Sequence, residues 1–141
     1  MGDGLIIKMY TFTLDCKDPH ELANFYAKLL NWEIPAYDED FVALSPPGSK
    51  QGAYPGILFQ KNPDYIPPVW PDTPDAQRQM AHIDFAVNDL EKAVQYALQC
   101  GATLSEQQFS DHWTVMFDPA GHPFCLCSMR SVIESTDFAL L

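Results

Sequence analysis

Basic residues are scarce in this chain. Only 8 of its 141 residues are Lys or Arg, against 19 Asp and Glu, and the formal net charge is -11. Such an excess of negative charge repels phosphate backbones and anionic lipid headgroups. The composition therefore predicts that the chain has no nucleic-acid partner and does not attach to a membrane surface.

Long hydrophobic runs are also missing. The longest apolar stretches are far shorter than the roughly 20 residues that a membrane-spanning helix needs. Residues 1–8 contain no basic region followed by an apolar run, which a secretory signal would require. The sequence thus predicts a cytoplasmic protein.

Cysteines are few, and their spacing fits no dense framework. The four lie at positions 16, 100, 125 and 127, a pattern that matches neither a zinc finger nor a small disulfide-rich domain. We expect reduced thiols. Cys125 and Cys127 form a CxC pair, which is one form of metal or redox motif, although buried cysteines more often act as small hydrophobic residues.

The residues that are present suffice for one folded domain. Hydrophobic residues make up 47% of the chain and charged residues 19%, so a core is expected and disorder is not. An internal repeat appears when Tyr10–Trp32 is laid over Ala81–Ala102. Each copy reads as a strand, an Asp that caps a helix, and an amphipathic helix.

The two copies agree in detail. In the first, 11–15 alternates polar and apolar residues as a strand does, Asp18 caps a helix, and Asn31 ends it. In the second, 82–86, Asp89 and Gly101 take the same places. His82 precedes Asp89 by the same seven residues that separate Thr11 from Asp18.

Three further strands are predicted after each helix, so each half is βαβββ and the fold class is α+β. They span 33–37, 41–45 and 56–60 in the first half, and 103–108, 113–118 and 124–128 in the second. The chain is read as one domain, with module one at about 8–61 and module two at about 80–129. Five prolines between 62 and 75 exclude regular helix and central strand from the crossing. A C-terminal tail, 130–141, ends in apolar residues.

Neither half is large enough to bury a sheet face alone. We therefore expect the modules to pair, with the helices outside and a curled mixed sheet around a cavity. Strand alternation turns Thr11, His82 and Asp84 away from the helices. A solvent-facing polar surface is the alternative, but the same polarity in both halves favours a shared polar cavity.

Two motifs connect this pattern to a known family. The run DPAGHPFCLC, Asp118 to Cys127, resembles the turn and last strand of the glyoxalase/bleomycin-resistance/dioxygenase superfamily, also called the vicinal oxygen chelate superfamily. The stretch PPVWP at 67–71, followed by MAHIDF at 80–85, is similar to its glyoxalase-like branch. The resemblance covers Tyr10 to Met129. Asp118 itself is read as structural, bonding backbone amides within its turn.

The resemblance implies a place for a divalent metal, which metal-dependent members hold with His, Gln and Glu from the first and last strands of the modules. Carried over, these places fall on Thr11, His82, about Leu58, and Cys125. Only His82 is a family-type ligand, and catalytic zinc usually takes three protein ligands. No metal site or other cofactor is therefore predicted, although the resemblance leaves room for a divalent metal.

The resemblance also implies contacts with a small organic molecule. The predicted substrate-binding residues are His82, Cys125, Trp113, Asp84 and Thr11, with Trp70 as a second aromatic candidate; no catalytic residue is assigned. For His82 and each Trp, a purely structural role is the competing interpretation. His112 and His122 are expected to be exposed near turns.

The sequence thus predicts a glyoxalase-like small-molecule-binding protein, a candidate lyase, isomerase or dioxygenase with an atypical or lost metal site. The alternative is a non-catalytic drug-sequestering or ligand-sensing protein of the bleomycin-resistance type, whose acidic pocket would suit a cationic ligand. The resemblance further implies a homodimer.

Overall fold

The fold is taken from a computed structural model, and the structure describes residues 4–49, 55–130 and 133. The chain divides into two compact units, residues 1–63 and 64–141. Each contains one of the two predicted modules. The apolar residues at the C-terminal end, 138–141, lie outside the described residues.

The first unit is a four-stranded sheet with one helix. Its elements are β1 (Thr11–Cys16), α1 (Pro19–Leu30), β2 (Glu33–Tyr37), β3 (Phe41–Ser45) and β4 (Gly56–Lys61). The strand order is β1-β4-β3-β2, with β1 parallel to β4 and the other pairs antiparallel. The first strand of the module therefore lies beside its last strand.

Helix α1 begins and ends where the sequence predicts. The Asp18 carboxylate accepts hydrogen bonds from the backbone N–H groups of His20 and Glu21, both at 3.1 Å. Asn31 adopts the left-handed conformation at the C-terminal end. On the inner face of the helix, Tyr26 is fully buried and stacks on Phe59 of β4, with ring centroids 5.5 Å apart.

The second unit repeats this topology. Its elements are β5 (Ile83–Val87), α2 (Leu90–Cys100), β6 (Thr103–Leu104), β7 (Trp113–Phe117) and β8 (Pro123–Ser128). The order is β5-β8-β7-β6, and β5 runs parallel to β8. The prediction of an α+β fold made of two βαβββ modules is confirmed, each module being one four-stranded mixed sheet. How the modules pair stays a prediction.

One predicted strand is much shorter than expected. The sequence predicts a strand over 103–108, but β6 contains only Thr103 and Leu104. The reason is the Gln108 side chain, which bonds the backbone of Val115 twice: it accepts from the N–H at 2.8 Å and donates to the C=O at 2.9 Å. A side-chain amide thus occupies the edge of β7 that a longer β6 would have paired with.

The proline-rich crossing behaves as predicted. Residues 62–75 form no helix and no extended strand, and only an isolated bridge joins Val69 to Arg78. The Trp70–Pro71 peptide bond is cis. This irregular segment carries Trp70 to the site described below.

The turn before β8 is organised by a buried carboxylate. Asp118 Oδ1 accepts from the backbone N–H groups of Ala120 at 2.9 Å and His122 at 3.0 Å, which confirms the predicted structural role. His112 is exposed as expected, but the same prediction for His122 is wrong. Its side chain is only 15% exposed, because Nδ1 lies 2.8 Å from Asp118 Oδ2 and holds the ring against the turn.

Gly121 completes this turn. Its φ is +89°, and an added Cβ would lie 2.8 Å from Cβ of Pro67 on the crossing. The close approach of the crossing to the turn therefore depends on the absence of a side chain at Gly121.

None of the four cysteines forms a disulfide. No helix among the described residues is long and apolar enough to cross a membrane.

Candidate functional site

The chemically distinctive residues of the second unit lie on one face of its sheet. His82 directly precedes β5 and Asp84 follows two residues later, so both side chains point to the same side. Asp84 is the direct partner of Cys125 in the parallel pairing of β5 with β8. Strand geometry alone thus brings the carboxylate and the thiol together.

The same face continues across β8 and β7. Val115 lies opposite Cys125 in the antiparallel pairing, and Trp113 lies opposite Cys127. The alternate residues of β8, Phe124 and Leu126, are buried in the core. Because side chains alternate along a strand, the two cysteines turn to the other side of the sheet from these core residues.

A pocket of about 530 Å³ opens on this face. Its lining is mostly apolar and comes from the crossing, from β5, β7 and β8, and from the loop before β7: Trp70, His82, Asp84, Phe109, Trp113, Val115, Cys125 and Cys127. Trp70 and Phe109 meet edge to face, with ring centroids 6.0 Å apart. None of the described residues that line the pocket is Lys or Arg.

Four of the five predicted site residues meet here. His82, Asp84, Trp113 and Cys125 all line the pocket. Thr11 belongs to the first unit, where it begins β1 opposite Gly56. Contact of any of the five with a ligand stays a prediction.

Asp84 interacts with both other residues at the polar end of the pocket, which consists of His82, Asp84 and Cys125. His82 Nε2 lies 3.2 Å from Asp84 Oδ1. Burial, the negative charge of Asp84, that of Cys127 and a hydrogen bond to Asp84 together raise the pKa of the Cys125 thiol to about 12. Burial and Asp84 also raise the pKa of Cys127. In the free protein Cys125 is therefore a neutral thiol and not a nucleophilic thiolate.

The sequence-based prediction of the site did not include three of the residues that line the pocket, namely Cys127, Val115 and Phe109. Cys127 was considered only as half of a CxC motif, yet its two-residue spacing from Cys125 already places both on one face. Val115 joins the site through strand register. Phe109 comes from a loop whose course is set by Gln108, and no local pattern signals its position.

The donor atoms at the polar end form a group with metal-ligating character. One ligand atom from each of His82, Asp84 and Cys125 can be chosen so that all three lie within 4.8 Å of one another. Leu58, at a family ligand place, is half-buried on β4 and offers no donor. Asp84, which is not at such a place, supplies the third donor that the sequence analysis did not count.

Comparison with known proteins identifies the family. The model of the glyoxalase-like domain matches residues 11–127. The chain belongs to the glyoxalase-like domain family. No curated protein shows significant sequence similarity to this glyoxalase-like chain.

Solved structures show the same fold at low identity. A glyoxalase/bleomycin resistance protein/dioxygenase family enzyme from Burkholderia phytofirmans is 14% identical, with a TM-score of 0.61 over 84% of this chain and 96% of that one. A trypanothione-dependent glyoxalase I from Leishmania major is 14% identical, with a TM-score of 0.59 over 92% and 91%. An antibiotic-binding protein from Streptomyces is 12% identical, with a TM-score of 0.55 over 87% and 96%. The glyoxalase-like fold of this chain is thus found in enzymes and in a binding protein.

Proposed function

We propose that this glyoxalase-like protein binds a small organic molecule in the pocket of its second unit. The observation that carries the proposal is a single pocket of about 530 Å³ that is lined both by aromatic side chains and by polar ones. This volume and this mixture are typical of pockets for small ligands, which are mainly apolar with a few placed polar groups. Two structural relatives, a trypanothione-dependent glyoxalase I and an antibiotic-binding protein, support the same class of ligand.

The two ends of the pocket have different tasks. Trp70, Phe109 and Trp113 offer ring faces and edges to an apolar or aromatic part of the ligand. Asp84, whose side chain is 61% exposed, accepts a hydrogen bond from a polar group of the ligand. Thr11 remains a proposed ligand contact on the strength of its family position.

Within this proposal, His82 is the residue that handles a proton. An imidazole with a carboxylate at 3.2 Å is a pairing that suits a general base, because the carboxylate stabilises the imidazolium that forms when the ring takes up a proton. Such a group can remove a proton next to a ligand carbonyl and return it to a neighbouring atom. The reaction class that follows is that of an isomerase or a lyase.

A second candidate function is sequestration of a cationic molecule without chemistry. The specific observation in its favour is that the Asp84 carboxylate and three aromatic rings line one pocket, with no Lys or Arg among the described lining residues. Aromatic faces and a carboxylate together attract an organic ammonium group. The antibiotic-binding relative from Streptomyces supports a binding role of this kind.

Three soluble probes of similar size test the pocket. Calorimetry and ligand-detected NMR should show binding of benzyl alcohol and stronger binding of benzyltrimethylammonium, whereas the anion benzenesulfonate should bind least because of Asp84. Phe109→Ala should weaken the first two. Tyr37→Ala, which removes an exposed ring of the first unit, is the matched control. The proposal fails if no probe binds or if Phe109→Ala has no effect.

A proton-exchange assay separates the two candidate functions. Hydroxyacetone in deuterated water should incorporate deuterium next to its carbonyl faster in the presence of the protein if His82 acts as a base. His82→Gln should remove the acceleration while probe binding persists. Binding without exchange, in the wild type, favours sequestration.

We also propose that the protein is a homodimer, as its family resemblance implies. Sedimentation equilibrium should give about twice the chain mass of 15.9 kDa. A concentration-independent mass of one chain would contradict it.

A further inference from the structure

We propose that His82, Asp84 and Cys125 form a binding site for one thiophilic divalent cation, Zn²⁺ or Co²⁺, with all three protein ligands supplied by the second unit. The inference goes beyond the proposed function, because the proposed binding of an organic molecule does not require a metal. It also departs from the family pattern, since Asp84 lies outside the family ligand places.

The fold brings the three donors together by backbone geometry. His82 and Asp84 are two residues apart on one side of β5, and Asp84 pairs directly with Cys125 of β8. The 3.2 Å between His82 Nε2 and Asp84 Oδ1 is the spacing of two ligands on one ion. The three donor atoms all lie within 4.8 Å, and ligand bonds of about 2.0–2.3 Å require them to close by roughly 1 Å. The Asp84 side chain is 61% exposed and that of His82 39%, so both have room to rotate inward.

The chemistry of the donors selects the metal. A set of one imidazole nitrogen, one carboxylate oxygen and one sulfur matches zinc and cobalt, whereas magnesium and calcium prefer oxygen ligands alone. On coordination, the Cys125 thiol proton is released to solvent and the sulfur binds as thiolate. The cation neutralises Asp84, for which the described lining residues of the pocket provide no Lys or Arg.

The three protein donors leave a coordination position of the metal free for a further ligand. All three residues line the pocket, and three protein ligands leave a position for water or for an oxygen atom of a bound molecule. A cation held here would polarise such an oxygen. The class of ligand that follows is a small molecule with an oxygen donor beside an aromatic or apolar group.

Cobalt spectroscopy on the full-length, chelator-treated protein tests the site. We expect about one Co²⁺ per chain and a sulfur-to-cobalt charge-transfer band. Cys125→Ser should abolish the band, whereas Cys127→Ser, the matched variant in the same pocket, should keep it. Asp84→Asn, at an exposed position that does not endanger folding, should weaken Co²⁺ binding at least about tenfold by calorimetry.

The outcomes separate this inference from the proposed function. No stoichiometric uptake, a band that survives in Cys125→Ser, or an unchanged affinity in Asp84→Asn would each overturn the metal site. Circular dichroism of each variant verifies the fold. Binding of benzyl alcohol and benzyltrimethylammonium is measured in parallel on metal-free protein. If these probes bind while cobalt does not, the metal site alone is rejected; if cobalt binds while neither probe does, the organic-ligand proposal alone is rejected.

Discussion

Asp84 and Cys125 lie directly opposite each other on the parallel strands β5 and β8, and after burial the carboxylate is the main cause of the high pKa of the thiol. One exposed acidic residue thus adds to the effect of burial in keeping the neighbouring thiol protonated. This pair also sets the charge of the pocket's polar end.

The first prediction concerns thiol reactivity. In the metal-free wild type, alkylation of Cys125 by iodoacetamide should become fast only as the pH approaches about 12. Asp84→Asn removes the negative charge that disfavours the thiolate, so the pKa falls and alkylation at a fixed lower pH should be about tenfold faster. Mass spectrometry of the modified peptide measures the rate. Glu91→Gln removes one charge from α2 and should leave the profile unchanged; an unshifted profile in Asp84→Asn would refute the assignment.

The second prediction concerns the aromatic wall. Trp113 is 40% exposed at the pocket, and its loss should weaken benzyltrimethylammonium binding by about 1 kcal/mol, or roughly fivefold. Trp113→Phe should retain most of the affinity, while Trp113→Ala should not. Calorimetric titration of the wild type, Trp113→Phe and Trp113→Ala with benzyltrimethylammonium measures the three affinities. Equal affinities for Ala and Phe at this position would show that the ring does not contact the probe.

The third prediction concerns the loss of negative charge on metal binding. Loading the protein with Zn²⁺ should weaken benzyltrimethylammonium binding about tenfold, because Zn²⁺ bound by the Asp84 carboxylate and the Cys125 thiolate leaves the polar end of the pocket without a net negative charge. The affinity for benzenesulfonate should rise. Zinc should have no such effect on Cys125→Ser, and a wild-type preference that ignores zinc would place the ion elsewhere.

The fourth prediction concerns the turn before β8. Asp118→Ala leaves the N–H groups of Ala120 and His122 without their acceptor and removes the partner of the His122 ring. We expect the free energy of unfolding to fall by about 2–3 kcal/mol, measured by urea denaturation. Asp111→Ala, at an exposed loop position, should change it by less than about 0.5 kcal/mol. A small effect at Asp118 would mean that the turn is held by other contacts.

Local chemistry made much of the fold predictable. The caps at Asp18, Asn31 and Gly101 and the alternation along β1 and β5 depend on neighbouring residues, and the structure places them as expected. The internal repeat then predicted the same βαβββ element order in both modules, which the structure confirms.

The failures depend on specific side-chain contacts and on strand register, which the periodicity of apolar residues does not encode. The shortening of β6 depends on a side-chain amide, Gln108, taking the place of backbone partners on β7. The burial of His122 depends on a buried carboxylate four residues earlier. At the site, the pairing of Asp84 with Cys125 is fixed by the register of two strands far apart in the sequence. Local periodicity predicts which side of a strand a residue takes, but not which residue it will face.

The strand order of the second sheet determines which residues of the pocket can be substituted with the least effect on the fold. Among the described residues of this sheet, β5 pairs along one side only, with β8, whereas β8 is flanked by both β5 and β7. Replacements at 82 and 84 therefore alter an outer strand, while any exchange at 125 disturbs an inner one whose neighbours are packed on both sides. Laboratory evolution of new ligand preferences is best begun by randomising the two outer positions with Cys125 held fixed.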